Sequence, residues 1–306
     1  MGPQRPVELR TALALADGNW HITAVMLGLR AFLTVAALAC AAALSPAGAI
    51  AQGKVVRDPD GIRRSVVQIE SSRGELCSGA VIAPDLVLTA AHCVLQRANY
   101  RVVIVDRSFR RYAVRAVAAA MHPDFVAGTT PRNQPGVDLA IIKLEGSLGG
   151  DFLPLDPRDA TAVAPGDSVI LAGFGLTAEN RRGSARVLRQ TRLVTLGTLK
   201  VANQVLVMAD EHRLAVTAGA GACRGDSGGP VVRGGPGQYQ LLGIVSWSSG
   251  ARQSRVATAC GGLTAVTPVV DHEDWISSRS RELRVFAAER GYGSPPPRTI
   301  YDWFAW

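Results

Sequence analysis

The chain has 306 residues, a formal net charge of +8, 47% apolar and 19% charged residues. That apolar share is enough for a buried core, which excludes chain-wide disorder, and the 32 Gly and 17 Pro follow no fixed period, which excludes collagen-like and low-complexity chains. Of the 33 basic residues only Lys54, Lys143 and Lys200 are lysines, and the arginines are scattered without a run or interleaved aromatics, so the charge does not describe a nucleic-acid groove.

In chain order, Met26 to Ala51 reads as an export signal. Arg30 supplies the positive start, Ala31 to Leu44 is apolar apart from Thr34, and Ala49-Ile50-Ala51 fits a small-x-small cleavage box. The apolar run is too short to span a membrane and is followed by Pro46 and Gly48, so no stable membrane span is expected once residues 1–51 are removed. Met26 can be the true start, with residues 1–25 a spurious extension. A secreted or periplasmic location follows. The exported part retains Cys77, Cys93, Cys223 and Cys260, an even set that suggests two disulfides whose connectivity spacing alone leaves open.

Short, mostly β-branched runs then recur: Val66 to Ile69, Gly79 to Ile82, Leu86 to Leu88, Arg101 to Val105, Tyr112 to Ala118 and Leu139 to Leu144. After a Pro/Asp-rich stretch, Leu153 to Asp167, come Ser168 to Ala172, Arg192 to Leu196, Gln204 to Met208, Leu214 to Thr217, Pro230 to Val232, Gln240 to Val245 and Leu263 to Val266. This predicts an all-β protein in two halves, 52–160 and 161–290. Asp271 to Arg290 predicts one helix, capped by Asp271 and burying Trp275, Ile276, Leu283 and Phe286. A Pro-rich and aromatic tail, 291–306, ends the chain.

Three motifs carry chemistry. Gly225-Asp226-Ser227-Gly228-Gly229-Pro230 sets a serine hydroxyl among glycines that let the backbone approach a substrate carbonyl. Leu88-Thr89-Ala90-Ala91-His92-Cys93 places an imidazole after a strand, beside a cysteine that can pin its loop. In Val137-Asp138-Leu139-Ala140-Ile141-Ile142-Lys143-Leu144 an aspartate opens an apolar strand, where burial is costly unless it finds a partner such as an imidazole N–H.

Together, with His122-Pro123-Asp124, Ser246-Trp247 and Trp275-Ile276, these motifs resemble the trypsin/chymotrypsin family of serine endopeptidases, in a bacterial secreted member, over Val55 to Arg290. The resemblance implies two six-stranded antiparallel β-barrels with a C-terminal α-helix, His92 and Asp138 coming from the first barrel and Ser227 from the second. Ser227 is then the nucleophile, His92 its base and Asp138 the residue that orients the imidazole, with the N–H groups of Gly225 and Ser227 as oxyanion hole. It implies disulfides Cys77–Cys93 and Cys223–Cys260, and a specificity pocket of Gly221, Ser246, Trp247, Ser248 and Gly261. Gly221 at the pocket base favours an uncharged P1 residue, and Ser248 narrows the entrance. Arg224 favours acidic residues near the scissile bond. An activation salt bridge is expected between Asp226 and a new N-terminus at Val55, although Val55-Val56-Arg57-Asp58 lacks the family's glycines.

No cofactor and no metal are expected, since the histidines lie too far apart for a zinc motif. The expected partners are protein or peptide substrates, with no nucleic acid, and the protein is expected to be a monomer. Three other readings are an inactive homologue acting as a binding module, against which all three motifs stand, an α/β-hydrolase, whose triad order and alternating helices the chain lacks, and a nucleic-acid binder, which rests on net charge alone.

Overall fold

A computed structural model describes residues 50–288 and 300–301. The expected export segment up to Ala49, the helix end at Arg290, and the tail apart from Ile300 and Tyr301 lie outside the described residues.

Two antiparallel sheets each close on themselves. The first contains β2 (Val66–Ser71), β3 (Leu76–Ala83), β4 (Leu86–Thr89), β5 (Tyr100–Val105), β6 (Arg111–Met121) and β7 (Ala140–Leu144), in the order β6-β5-β2-β3-β4-β7 with β6 also pairing to β7. The second contains β8 (Ser168–Gly173), β9 (Arg189–Lys200), β10 (Gln204–Ala209), β11 (Pro230–Arg233), β12 (Gln240–Ser248) and β13 (Thr264–Pro268), in the order β9-β10-β13-β12-β11-β8 with β9 closing onto β8. Closure leaves neither six-stranded barrel an open edge. One core forms around Ile69, Leu88, Val102 and Ile141, the other around Val169, Leu171, Met208 and Val266, all essentially buried. Among the described residues no helix is long and apolar enough to cross a membrane.

Three elements depart from the expected domain division. The short strand β1 (Lys54–Val55) pairs with Gln190 and Arg189 of β9, so this segment joins the second barrel instead of the first. Ile50 and Ala51, expected to leave with the signal, are buried in the body, Ile50 fully and within the second core. The helix α1 (Glu273–Ala288) buries Ile276 and Leu283, with Trp275 and Phe286 half-buried, in the core of the first barrel. It leans on β6 and β7 although its sequence follows the second barrel. A 3-10 turn, Val270–His272, precedes it, so Asp271 lies ahead of the helix and does not cap it. Of the tail, β14 (Ile300–Tyr301) pairs with Ala120 and Ala119 of β6.

The run Leu214 to Thr217 forms no strand. Asp210 Oδ1 accepts from the N–H groups of His212 and Arg213, and its carbonyl accepts from Leu214 N, which curls the segment into turns. Leu214 and Ala215 take φ of +47° and +57°, in which strand pairing is impossible.

Candidate active site

The site begins with β4. Its residues are fully buried and deliver the chain to a 3-10 turn, Ala91–Cys93, in which His92 remains partly exposed. The disulfide Cys77–Cys93, of sequence separation 16, ties this turn back to β3. A loop of that size contributes about 3 kcal/mol through the unfolded chain.

Asp138 precedes β7 and is fully buried. Its Oδ2 accepts from His92 Nδ1 at 2.8 Å and from Ser246 Oγ at 2.6 Å, and its Oδ1 accepts from His92 N at 3.0 Å. Burial by itself raises the Asp138 pKa. The His92 charge and the hydrogen bonds from His92 and Ser246 outweigh burial and hold the carboxyl below its usual range. For His92 burial works downward, but the charge and hydrogen bond of Asp138 lift its pKa above 6.5. Nδ1 is thus committed to the carboxylate, which leaves Nε2 free as an acceptor.

The serine loop is built against this turn. Gly228, at φ +79°, has no room for a side chain: a Cβ would lie 2.1 Å from Thr89 Oγ1 and 2.3 Å from the Ser78 carbonyl. Ser227 O accepts from Ser78 N at 2.8 Å. The Cys93 sulfur lies 3.7 Å from that same Ser227 carbonyl oxygen and 3.8 Å from His92 Nε2, so the imidazole and the backbone of half-buried Ser227 both approach the disulfide. The Arg224 carbonyl accepts from Leu176 N at 2.8 Å. In a trans peptide the N–H points opposite to the C=O, so the Gly225 N–H faces away from Leu176. Ser78 Oγ holds the Gly225 carbonyl at 2.9 Å. The second disulfide, Cys223–Cys260, ties the loop to the segment ahead of β13.

Asp226, beside Ser227, is fully buried. Its oxygens accept from Gly175 N at 2.8 Å and Cys223 N at 2.9 Å. Burial pushes its pKa up to about 7, against those two N–H groups and the charge of Arg189. Gly173 and Gly175 line the cradle, where a Cβ at either position would collide with the carboxylate.

With the Lys54–Val55 bond intact, Val55 is 42% exposed on β1, paired with Arg189. The residue brought into the region of Asp226 is Ala51. Its carbonyl accepts from Gly221 N at 3.2 Å, and it packs with Cys223, Cys260 and Leu176.

Around Gly221 the surroundings are small. A Cβ there would meet the Gly262 carbonyl at 3.3 Å and Thr264 Oγ1 at 3.4 Å, and Gly261 lies against Ala51 and Gly219. Asp210 spends Oδ2 on Ala220 N at 2.9 Å and Oδ1 on its own turn. Ser246, expected in the pocket wall, donates its hydroxyl to Asp138. Ser248 donates to the Ala259 carbonyl at 2.6 Å, which draws its side chain into the neighbouring loop. Trp247 is nearly buried, with Arg132 of the first-barrel side 5.1 Å over its ring. Arg224, expected to offer a free charge near the scissile bond, is paired with Glu179 at 3.0 Å.

Sequence reasoning missed Ser78, Glu179 and the burial of Ile50. A serine inside a strand, a glutamate in a polar loop and an isoleucine at the end of an apolar leader carry no local mark of these contacts. Cys77, His92 and Cys93 also cluster closely enough to suggest a metal, but the two sulfurs are bonded to each other.

Among known protein families, the one described as Trypsin matches residues 53–276. The chain is 32% identical to human granzyme M over 70% of this chain and 83% of that protein, and 30% identical to trypsin alpha-4 of Lucilia cuprina over 60% and 72%. Its fold is similar to that of human heparin binding protein (TM-score 0.57, 23% identity, 75% of this chain and 96% of that one). It is also similar to that of neuropsin, a serine protease of mouse brain (TM-score 0.57, 22% identity, 75% and 99%). These relatives are animal proteins and lend no support to the bacterial member that the sequence suggested.

Proposed function

The chain belongs to the trypsin family of serine proteases, and from that premise we propose that it hydrolyses peptide bonds through Ser227, His92 and Asp138. The observation that carries the reading is the buried Asp138 carboxylate, held by His92 N, His92 Nδ1 and Ser246 Oγ, with the Cys93 sulfur 3.8 Å from His92 Nε2 and 3.7 Å from the Ser227 carbonyl oxygen. In this reading His92 Nε2 takes the Ser227 proton as Oγ attacks the substrate carbonyl, then gives it to the leaving amine. Asp138 keeps the imidazole in the right tautomer and stabilises its cation. The N–H groups of Gly225 and Ser227 receive the oxyanion, each worth about 2.7–4 kcal/mol of barrier. Ser246 is a positioning residue for Asp138.

The P1 residue is uncharged. Gly221 supplies no carboxylate, the neighbouring Gly261 and Gly262 are small, and Asp210 is occupied by backbone N–H groups. A substrate Arg or Lys would therefore be buried without a counter-charge. The two disulfides are consistent with export, and we place the protein outside the cytoplasm, secreted or periplasmic.

The test is Ser227→Ala, assayed on chromogenic peptides that differ only at P1. The parent should prefer Leu, Phe or Ala over Arg and take up a serine-reactive phosphonate. The alanine variant should fold but lose at least roughly 10⁴-fold in kcat. An alanine variant as fast as the parent overturns the nucleophile, and an Arg substrate turned over fastest overturns the pocket assignment.

A further inference from the structure

Past its midpoint the strand β12 is paired on one side only. β11 runs along it as far as Ile244, while Trp247 and Ser248 pair with Ala265 and Thr264 of β13. Ser249 N donates to the Leu263 carbonyl, and the Ser249 carbonyl accepts from Gly262 N, both toward the β13 side. Backbone groups of successive strand residues point to opposite edges, so those of Ser248 point away from β13. This open edge begins at Ser246, whose hydroxyl is bound to Asp138, and it therefore starts beside the proposed catalytic residues.

A guanidinium from the other barrel stands over this edge. Arg132 lies on the 3-10 turn Pro131–Asn133, which precedes Asp138 and β7. The fully buried Gln134 fixes the loop that carries it. Gln134 Oε1 accepts from Val126 N at 3.0 Å and Gly136 N at 2.9 Å, and Nε2 donates to the Val126 carbonyl and to Thr129 Oγ1, both at 2.9 Å. A side-chain amide bonded at both ends holds the turn in one conformation. From it the Arg132 guanidinium reaches over the Trp247 ring, 5.1 Å from the centroid, with Nη2 3.5 Å from the Ser248 carbonyl. A guanidinium lying over an aromatic ring spends its face there and keeps its N–H edge for a planar acceptor. Among the described residues no carboxylate pairs with the exposed Arg132, whereas Arg224 is spent on Glu179.

The direction of a bound chain follows from the pocket. An uncharged P1 side chain enters the second barrel at Gly221 in the reading above. Side chains of an extended segment alternate, so those at P2 and P4 point the opposite way, toward the first barrel and Arg132. A Lys or Arg there meets a like charge, and an apolar side chain desolvates the guanidinium edge without pairing it. A carboxylate receives charge-assisted N–H bonds in fork geometry. We propose that Arg132 is a specificity-determining residue of this protease, selecting substrates that carry Asp or Glu at P2 or P4 ahead of an uncharged P1. This rests on the protease reading above, and it moves the acid preference from Arg224, on the serine loop, to Arg132, on the opposite barrel. The formal net charge of +8 steers acidic segments in the same direction.

The experiment uses the full chain exported from cells and peptides with Leu at P1 that differ only in Glu, Gln or Lys at P2 or at P4. At low ionic strength kcat/KM for Glu should exceed that for the isosteric Gln by roughly fivefold at one of the two positions, the size of a partly solvated ion pair. Arg132→Gln should bring the ratio to unity, and Arg132→Glu should invert it in favour of Lys. The ratio is taken within each protein, so a smaller folded fraction in a variant leaves it unchanged. A parent indifferent to Glu and Gln at both positions, or an Arg132→Gln variant that keeps the parent ratio, overturns the proposal. The same peptides titrated against the Ser227→Ala protein, with and without Arg132→Gln, should give the same ratios in Kd. If no form cleaves any peptide, the protease reading fails by itself, while the Kd ratios still decide the role of Arg132.

Discussion

At His92, the base of the proposed mechanism, two opposing effects set the pKa. Burial disfavours the imidazolium, and Asp138 at 2.8 Å favours it more strongly, so the pKa lies above 6.5. His92 must be neutral to accept the Ser227 proton. Activity should therefore fall as pH drops through a value above 6.5, seen as the acid limb of kcat/KM against pH. In Asp138→Asn the limb should move down and kcat should fall by roughly 10⁴. An acid limb centred below 6.5 in the parent would contradict the assigned ion pair. The same pair acts on folding with the opposite sign: its stabilisation is present below pH 6.5 and fades as pH rises through the raised pKa.

The element whose docking is most exposed to acid is α1. Its Trp275 sits 4.8 Å from the ring of His122 on the first barrel, and His272 meets the same ring edge-on at 5.2 Å. Burial lowers the His122 pKa to about 4, helped by His272 and Arg279 and opposed by Asp124. Burial also lowers that of His272, against Asp271 and Asp124. Below pH 6.5 the unfolded chain binds protons that the docked helix refuses, so stability is lost as pH falls from 6.5 toward 4. His122→Phe keeps the ring packing and removes one titrating group. It gives up the Asp124 N–H bond to Nδ1 at 3.3 Å, which costs about 1 kcal/mol at neutral pH. The variant should melt slightly below the parent at pH 7.5 and recover relative to it at pH 5. A gap that stays constant between the two pH values would show that His122 does not titrate with unfolding.

On the scale of the whole molecule, the two barrels meet at Gly228, with Thr89 and Ser78 on one side and the serine loop on the other. Gly228→Ala places a methyl within 2.3 Å of both partners and requires an L-residue at φ +79°. Overpacking and left-handed strain each cost about 1–3 kcal/mol. At about 2–4 °C per kcal/mol the melting temperature should fall by several degrees. Activity should fall further than stability, because the same methyl collides with Thr89 and Ser78, which abut the serine loop next to the proposed nucleophile. Unchanged kcat in a correctly folded variant would mean that the barrel contact does not hold the serine loop in place.

What the residues determined by themselves was the family and the class of fold. Six consecutive specified residues around Ser227, an imidazole beside a cysteine and an aspartate heading an apolar strand are local patterns, and β-branched runs broken by Gly and Pro favour strands wherever they occur. The tertiary structure decided which side chains share a neighbour. Ser246 belongs to Asp138 and Ser78 to the serine loop because strands distant in sequence pair in a particular register, which no local pattern encodes. The same holds for Leu214 to Thr217, where a side chain at Asp210 overrides strand propensity. Ile50 is the sharpest case. An apolar residue ending a leader and an apolar residue filling a core look alike in sequence, since both respond to removal from water. Only the packed second barrel, in whose core Ile50 is fully buried, assigns it to the fold.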